Sequence, residues 1–291
     1  MKYRVAHTTA YHYEDDVTSS YGQVQLVPRG IPGQTCERQE VRIEPVPADY
    51  QERSDFFGNR FAYFEISSVH RDLSVTTTSW IEISTPARRD LLGAIEATGT
   101  PWEAARVITE PEGRQFLLDS PLVTTSADLA AYGRLSFTDG RPIVEALDDL
   151  AHRVHGDFAF KPGATLVSTT AQEVLLIKAG VCQDFAHLVI GCMRSLGLAA
   201  RYVSGYLETN PPPGRPRQQG ADVSHAWASV LVPGMGWIDL DPTNSQLVNE
   251  RYVVTAWGRD YSDVPPLKGV IFTHGTTLDL EVMVDVIREG E

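Results

Sequence analysis

The apolar pattern changes its period part way along the chain, and this change constrains the fold more than any other sequence feature. Residues 1–85 alternate apolar and polar positions over short segments, as in DLSVTTTSWIEIS and FGNRFAYFEI, with no helix-period pattern. Such alternation is typical of antiparallel strands with one buried face. The sequence therefore predicts an N-terminal antiparallel β-sandwich over residues 1–85.

Helical signals follow this β region. Pro142 occupies a first-turn position ahead of a segment with helical apolar spacing. Thr170 and Glu173 match a capping box and predict the start of a short helix. A further helix is predicted from about Cys182 to Gly197, because an apolar segment ends there at a glycine.

Alternating segments return after the helices, at residues 200–208, 224–232 and 236–242, and again near the end of the sequence. Helices followed by antiparallel strands predict an α+β fold. We therefore divide the chain into a β-sandwich (1–85), a helical or irregular connector (86–140) and an α+β core (141–291). A polar loop at residues 210–220 contains Arg215 and Arg217, whose charges would favour anionic groups locally.

Charge and composition exclude several classes of protein. The net charge of −13 argues against a nucleic-acid partner, because phosphate binding requires a basic surface. No apolar stretch has the length of a membrane span, and the first residues lack the apolar run of a signal peptide. Three cysteines, an odd number, do not suggest a disulfide framework. We expect a cytoplasmic protein with reduced thiols; its oligomeric state cannot be predicted from these features.

The three cysteines occupy different environments. Cys182 and Cys192 are ten positions apart on one predicted helix, about 15 Å along its axis, which excludes a disulfide between them. Cys192 lies inside the apolar helix and is interpreted as a buried hydrophobic residue, and Cys36 as a structural residue of the β region. Cys182 lies in the first helical turn, where free N–H groups and the helix dipole favour a thiolate.

A candidate base and its partner lie on the two strands that follow. The segment 232–236, VPGMG, predicts a five-residue hairpin loop that pairs Leu231 with Trp237. This register makes Asp241 a diagonal neighbour of His225 at about 7–8 Å, and leaves Asp239 one pleat further away. A loop of different parity would break the arrangement.

Other interpretations of these residues stay open at this point. His225 is equally consistent with a half-buried sheet histidine, and Asp241 with a turn-forming residue before a proline. His187 lies five positions from Cys182, about 500° around the helix, and is predicted to point away from it. A metal site made of Cys182, His187 and His225 remains an alternative, although the spacing matches no common zinc pattern.

Four motifs carry a resemblance to a known family, namely GVCQDFAHL, ARYVSGY, SHAWASV and GWIDLDPTN. Together they resemble the core of the transglutaminase-like superfamily, whose fold is similar to that of papain-like proteases. The start of the chain, with YRVAHTTAYHYEDDV, QLVPRG and SDFFGNRFAYFEI, resembles the N-terminal β domain of bacterial members, and WGRDYSDVPPLKGV resembles their C-terminal segment. The resemblance covers most of the chain except residues 86–140.

The resemblance implies a Cys-His-Asp triad formed by Cys182, His225 and Asp241. It implies acyl transfer on peptide or carboxamide bonds through a thioester, with hydrolysis by a cysteine protease or amidase as the first expectation. A protein-glutamine transglutaminase and a non-catalytic binding module on the same fold remain the alternatives. We further predict that Trp227, Gln183 and Tyr206 bind a peptide or protein substrate. No calcium site, other metal site or cofactor is predicted.

Overall fold

The computed structural model describes residues 1–84, 90, 93–94, 96–108, 110–209, 222–275 and 277–290. The predicted polar loop at 210–220, with Arg215 and Arg217, and the predicted boundary at 85/86 lie outside the described residues. The N-terminal strands are β1 (Lys2–Val24), β2 (Gln34–Glu44), β3 (Asp49–Ser54), β4 (Arg60–Ile66) and β5 (His70–Ile83).

The middle of the chain is mainly helical. Its helices are α1 (Pro111–Arg114), α2 (Ala127–Arg134), α3 (Ile143–Asp157), α4 (Ala171–Ile177) and α5 (Cys182–Ser195). Short three-ten segments lie at Trp102–Arg106 and Gln115–Leu117. The capping box predicted at the start of α4 is present, with the Thr170 N–H donating to Glu173 and the Glu173 N–H donating to the Thr170 hydroxyl.

The remaining strands are β6 (Ala159–Phe160), β7 (Ala179–Gly180), β8 (Ala200–Leu207), β9 (Ser224–Val232), β10 (Gly236–Asp241), β11 (Gln246–Leu247), β12 (Tyr252–Gly258), β13 (Leu267–Thr273) and β14 (Thr277–Arg288). A three-ten turn at Tyr261–Asp263 separates β12 from β13. Strands β6 and β7 form a short parallel pair that leads directly into α5. The predicted α+β fold class, an antiparallel β domain followed by a helix-plus-sheet core, is confirmed.

The N-terminal sheet is organised around β1, which is far longer than the short strands that the alternation predicts. Its first half pairs with β5 and its second half with β4, and the register shifts between His12 and Val17. Val17 of β1 shares one buried cluster with Ile43 of β2 and Phe64 of β4, which belong to the two halves of the sheet on either side of β1. The two halves therefore enclose a common core although they belong to one hydrogen-bonded sheet.

Strands β13 and β14 also pair with β1 and complete the N-terminal sheet. The pairing joins sequence positions near 285 to positions near 5, as in Val5 opposite Val286. The division of the chain at 1–85, 86–140 and 141–291 stays a prediction. It did not include the pairing of the last two strands with the first strand. Tyr3 and Val286 pack with Tyr206 and Val253, so the N-terminal sheet contacts the core sheet through a buried apolar cluster.

The core is a five-stranded antiparallel sheet in the order β11-β10-β9-β8-β12. One face carries Ala226, Ala228 and Val230, which pack in the same cluster as the apolar residues of α5. The opposite face carries the odd-numbered residues of β9, including His225 and Trp227, because side chains alternate along a strand.

Buried Arg194, in the last turn of α5, forms hydrogen bonds with three other segments of the chain. Its guanidinium donates to the carbonyl oxygens of Ala200, Leu118 and Arg259. These acceptors come from three separate parts of the chain. Arg194 therefore ties the connector and the segment after β12 to the helix that carries Cys182.

Candidate active site

Cys182 is the first residue of α5 and its side chain is partly buried. The turn that leads into the helix requires Gly180, because a Cβ there would lie 2.6 Å from an Asp184 carboxylate oxygen. That Asp184 oxygen accepts hydrogen bonds from Val181 N at 2.8 Å and from the Thr165 hydroxyl at 2.6 Å. Burial raises the pKa of Asp184, and these two hydrogen bonds oppose the change. The carboxylate therefore organises the helix start.

His225 and Asp241 form a close buried pair. His225 Nε2 lies 2.6 Å from Asp241 Oδ2, with the two side chains 8% and 0% exposed. An ionised carboxylate only accepts hydrogen bonds, so Nε2 carries the proton in this pair. Nδ1 is then the ring nitrogen that Asp241 does not engage, and Cys182 lies close enough to the imidazole to raise its pKa. The carboxylate and the imidazole are thus hydrogen-bonded to each other, and the thiol lies close to them.

The hairpin between β9 and β10 sets this geometry. Trp237 lies opposite Leu231 and Asp239 opposite Ser229, as the parity argument predicts. The ladder continues to a pair between Val232 and Gly236, so the loop is shorter than the five residues predicted. The loop is shorter by one residue on each side, so the same residues of β9 and β10 still lie opposite each other.

Asp241 is held by four further hydrogen bonds. Its Oδ1 accepts from the backbone N–H groups of Thr243 and Asn244, at 2.9 and 3.2 Å. Its Oδ2 accepts from Asn244 Nδ2 at 2.7 Å and from the Tyr252 hydroxyl at 2.6 Å. Burial by itself raises the pKa of Asp241, but the hydrogen bonds and the His225 charge outweigh it and lower the pKa. The carboxylate therefore remains ionised at neutral pH.

The same interactions determine the pKa of His225. Burial by itself lowers its pKa, because a charged ring loses solvation in the interior. The hydrogen bonds and charges of Asp241 and Cys182 outweigh burial and raise the pKa to about 10. A protonated His225 therefore places a positive charge close to Cys182.

Sequence reasoning missed two of the residues that hold Asp241. Asn244 lies three residues after Asp241, within the quoted motif DPTN, and its amide also lies 3.4 Å from His225 Nε2. Tyr252 begins β12, which joins the opposite edge of the sheet from β10. The β-branched segment YVVTAW is a signal for that strand, but nothing in the sequence indicates where it pairs.

The predicted substrate-binding residues lie in different surroundings. Trp227 is 0% exposed and packs against His225 and Tyr252, with ring centroids 6.1 and 5.3 Å apart. Tyr206 is 1% exposed and its hydroxyl contacts His7 Nδ1 at 3.0 Å in the N-terminal sheet. Both side chains are therefore buried in the structure, and a role of either toward a substrate stays a prediction.

Gln183 differs from these two aromatic residues. It follows Cys182 and is partly exposed, and its amide donates to the Val167 carbonyl oxygen at 3.1 Å. This hydrogen bond connects the loop before α4 to the residue that follows Cys182. A role of Gln183 toward a substrate stays a prediction.

The other candidate residues, His187, Cys192 and Cys36, have different surroundings. His187 is fully buried, and its Nε2 accepts from Tyr261 N at 3.1 Å. Burial lowers the pKa of His187 to about 4. Burial also raises the pKa of Cys192 to about 12, and raises that of Cys36, whose sulfur donates to the Arg38 carbonyl oxygen. All three cysteines are free thiols.

Neither a metal-binding cluster nor a membrane-spanning helix occurs among the described residues. They contain no group of three or more His, Cys, Asp or Glu side chains arranged to hold a metal ion. Within the same part of the chain, no helix is both long enough and apolar enough to cross a bilayer.

Comparison with known proteins gives two family matches. The bacterial transglutaminase-like N-terminal region matches residues 3–82, and the transglutaminase-like superfamily matches residues 135–242. The structure of a proposed cysteine protease from Cytophaga hutchinsonii is similar with a TM-score of 0.75 and 20% identity, covering 100% of this chain and 92% of the other. At this identity the similarity shows the fold.

Closer sequence relatives extend over the whole chain. The uncharacterized proteins Mb2599c of Mycobacterium bovis and Rv2569c of Mycobacterium tuberculosis are each 46% identical over 301 residues, covering 100% of this chain and 94% of theirs. A protein-glutamine gamma-glutamyltransferase of Pseudomonas aeruginosa is 33% identical over 101 residues, which cover 33% of this chain and 15% of that protein. The chain therefore belongs to the transglutaminase-like superfamily and carries the bacterial transglutaminase-like N-terminal region.

Proposed function

We propose that this protein is a thiol acyl-transfer enzyme that hydrolyses peptide or carboxamide bonds with Cys182, His225 and Asp241. The observation that carries the proposal is the pairing of His225 with Asp241 through Nε2, which leaves Nδ1 for Cys182. A thiol, an imidazole and an orienting carboxylate in this order are the elements of nucleophilic acyl transfer.

In the proposed reaction, the Cys182 thiolate attacks the carbonyl carbon, and the oxygen takes up the negative charge. The first-turn N–H of Cys182 has no intrahelical acceptor and is suited to donate to this oxygen. Protonated His225 then gives its proton to the leaving amine as the carbon–nitrogen bond breaks, which produces a thioester. Water attacks the thioester with His225 as the base, and this step releases a carboxylic acid and the thiol.

Asp241 acts through His225 in this scheme. Its carboxylate fixes the ring so that Nδ1 faces the sulfur, and it stabilises the imidazolium that forms. The hydrogen bonds from Asn244 and Tyr252 keep the carboxylate in place.

Transfer to an amine is the second candidate, because a transglutaminase uses the same thioester and differs only in the acceptor. It is favoured by the similarity of part of this chain to a protein whose name is protein-glutamine gamma-glutamyltransferase. We place hydrolysis first on the resemblance of the whole chain to bacterial members of the family.

The test combines labelling with a product assay. Iodoacetamide is added across a range of pH, and the modified peptides are identified by mass spectrometry for wild type, His225→Ala and Cys192→Ala. We expect rapid labelling of Cys182 below pH 7 in wild type and Cys192→Ala, and slow labelling in His225→Ala. Labelling of Cys182 no faster than that of Cys36 contradicts an active thiolate and favours a binding module.

The product assay uses glutamine-containing peptides with and without a fluorescent primary amine. A carboxylic acid product in the presence of the amine supports hydrolysis, and incorporation of the amine supports transfer. Cys182→Ala is expected to abolish either product, whereas Cys192→Ala is the matched control and is expected to retain it.

A further inference from the structure

A cavity of about 400 Å³ lies on the face of the core sheet that is turned away from α5. It is formed where the β3–β4 loop and the segment from α1 to Phe116 meet the hairpin end of the sheet. Its lining includes Phe57, Phe116, Arg201, Leu231, Trp237 and Trp257. Three aromatic rings form a continuous wall, since Phe116 contacts Phe57 and Trp237 at centroid distances of 5.9 and 5.3 Å.

Arg201 supplies a buried positive charge in this cavity. It is 7% exposed, and its guanidinium carbon lies 3.9 Å from the ring centroid of Trp237 and 3.8 Å from that of Trp257. Among the residues that the structure describes, no acceptor takes a hydrogen bond from this guanidinium, and its Nε is buried without a partner. Burial lowers the pKa of Arg201 to about 9, so the group remains charged at neutral pH.

A buried guanidinium without an acceptor is unusual, because desolvation of an unpaired charge is costly and native proteins compensate it. Trp237 and Trp257 contribute cation–π attraction from their faces but offer no lone pairs. Asp239 attracts Arg201 electrostatically without forming an ion pair with it. Because both rings lie against the guanidinium carbon and supply no acceptor, the N–H groups of Arg201 remain for an acceptor that lies in the guanidinium plane.

We propose that this cavity binds a carboxylate attached to an aromatic or apolar body. A carboxylate matches the fork of N–H donors on Arg201 through two parallel hydrogen bonds. The aromatic wall then receives the apolar body of the ligand. The source is either a small organic acid or the C-terminal carboxylate of a peptide, since both present this chemistry.

Two glutamates at the edge of the cavity restrict the charge of the ligand. Glu112 is exposed, and Glu110 accepts from Gly234 N at 3.2 Å, which fixes this edge against the hairpin. Their negative charges oppose a ligand with two or more negative charges. The site is therefore expected to select a monocarboxylate over phosphate.

The cavity is separate from the triad. Arg201 lies opposite Ser229, which is four residues along β9 from His225. That spacing corresponds to about 14 Å along the strand. If no carboxylate binds in this cavity, the proposed acyl-transfer reaction is therefore unaffected. If the reaction is not found, the proposal of carboxylate binding is equally unaffected.

Calorimetric titration of the intact protein tests the proposal with matched probes. We expect 3-phenylpropionate to bind and 3-phenylpropionamide, which lacks the charge, to bind at least roughly tenfold more weakly. A second pair compares an N-acetylated peptide ending in phenylalanine with the same peptide amidated at its C-terminus. Preference for the free peptide acid over 3-phenylpropionate identifies a peptide terminus as the source, and the opposite preference identifies a small acid. Equal binding of acid and amide, or binding of neither, overturns the proposal.

Three variants sharpen the result. Arg201→Gln is expected to lose carboxylate binding. Arg38→Gln is the matched control, because Arg38 also stacks on a tryptophan, Trp80 at 4.6 Å, but lies at the exposed surface. This variant is expected to keep carboxylate binding. Glu112→Gln removes a like charge from an exposed position, so we expect it to tighten binding roughly two- to fivefold. If Arg201→Gln does not fold, the Glu112→Gln result and the acid–amide comparison decide the question. An unchanged affinity in Glu112→Gln contradicts the placement of the carboxylate.

Discussion

The Tyr252 hydroxyl donates to Asp241 Oδ2 at 2.6 Å, and the same oxygen accepts from His225 Nε2. Tyr252 is fully buried, and burial together with the Asp241 charge raises its pKa, so the phenol remains a donor at every physiological pH. The orientation of the imidazole therefore depends on a residue of β12, which is separated from β9 by β8.

Tyr252→Phe removes this donor and leaves the ring in place. We expect the free energy of unfolding to fall by about 1.5–3 kcal/mol, the usual contribution of a hydrogen bond to a charged group. Catalytic efficiency is expected to fall as well, because Asp241 holds His225 less firmly. Urea denaturation and a steady-state assay measure the two effects.

Tyr132→Phe is the matched control for this change. The Tyr132 hydroxyl donates to Asp157 at 2.8 Å at the protein surface. Solvent replaces that bond, so we expect a loss below about 1 kcal/mol. Equal losses in the two variants would contradict a special role for Tyr252.

The His225–Asp241 pair predicts a pH-dependent stability. The pKa of His225 is raised from 6.5 to about 10, so folding favours its protonated form. This contribution is fully present below pH 6.5 and is lost as the pH rises toward 10. The pKa of Asp241 is lowered, so its contribution is present above pH 3.8 and is lost as the pH falls through the folded-state value.

Urea denaturation of wild type and His225→Gln at a series of pH values measures this effect. The difference in unfolding free energy is expected to be largest near pH 6 and to shrink above 6.5, at up to about 1.4 kcal/mol per pH unit. Comparison of the two proteins removes the titration of other groups. A difference that stays constant between pH 6.5 and 10 would show that the imidazolium is not stabilised.

Gly205 lies opposite His225, and Gly205→Ala is expected to destabilise the protein. The new Cβ would lie 2.0 Å from the Val253 carbonyl oxygen and 2.7 Å from the Trp227 ring. Neither neighbour moves freely, since Val253 belongs to the paired strand β12 and Trp227 is fully buried. We expect a loss of at least about 1–3 kcal/mol in thermal unfolding, with reduced activity.

Gly156→Ala provides the opposite expectation. Gly156 lies in α3, and a Cβ there meets no heavy atom within 4 Å. Alanine has the better helix propensity, so stability should rise by about 0.5–1 kcal/mol. If Gly205→Ala and Gly156→Ala change stability in the same direction, the space around each Cβ does not explain the effect of the substitution.

Arg194→Met is expected to loosen the connector from the core. The variant leaves the carbonyl oxygens of Leu118, Ala200 and Arg259 without their donor, and the buried site prevents water from replacing it. A loss above about 3 kcal/mol is expected from the combined unsatisfied groups. Arg134→Met, at the exposed end of α2, is the control and should change stability by less than about 0.5 kcal/mol. Similar losses would mean that the hydrogen bonds of Arg194 contribute little.

The part of the candidate site that could be predicted from sequence is the part that depends on local rules. The start of α5 follows from a glycine turn before an apolar helix, and the register of β9 with β10 follows from strand parity across one hairpin. The register alone is enough to bring His225 and Asp241 together. The family resemblance adds the expected role of each residue.

The remaining features depend on contacts between distant segments. Strand alternation shows which residues share a face but does not identify the neighbouring strand, so the positions of β12 and β14 could not be predicted. The aromatic residues near the site show the same limit. Trp227 and Tyr206 lie on strands β9 and β8, but the N-terminal sheet and β12 cover them, and their burial follows from that packing.

The pairing of β1 with β13 and β14 has a consequence for protein synthesis. The strands that complete the N-terminal sheet follow β1 at a very long sequence separation, as the pairs Val24–Leu267 and Val5–Val286 show. On the ribosome, β1 to β5 therefore emerge while β13 and β14 are still unsynthesised. Until then β1 has unpaired N–H and C=O groups along one edge, and such an edge pairs readily with other chains.

Closure of this sheet waits until translation has passed residue 288, the end of β14. Contacts of such long sequence separation also form slowly once the chain is complete. The nascent chain is thus expected to be most prone to aggregation, and most dependent on chaperones, in the interval between the synthesis of β5 and that of β14.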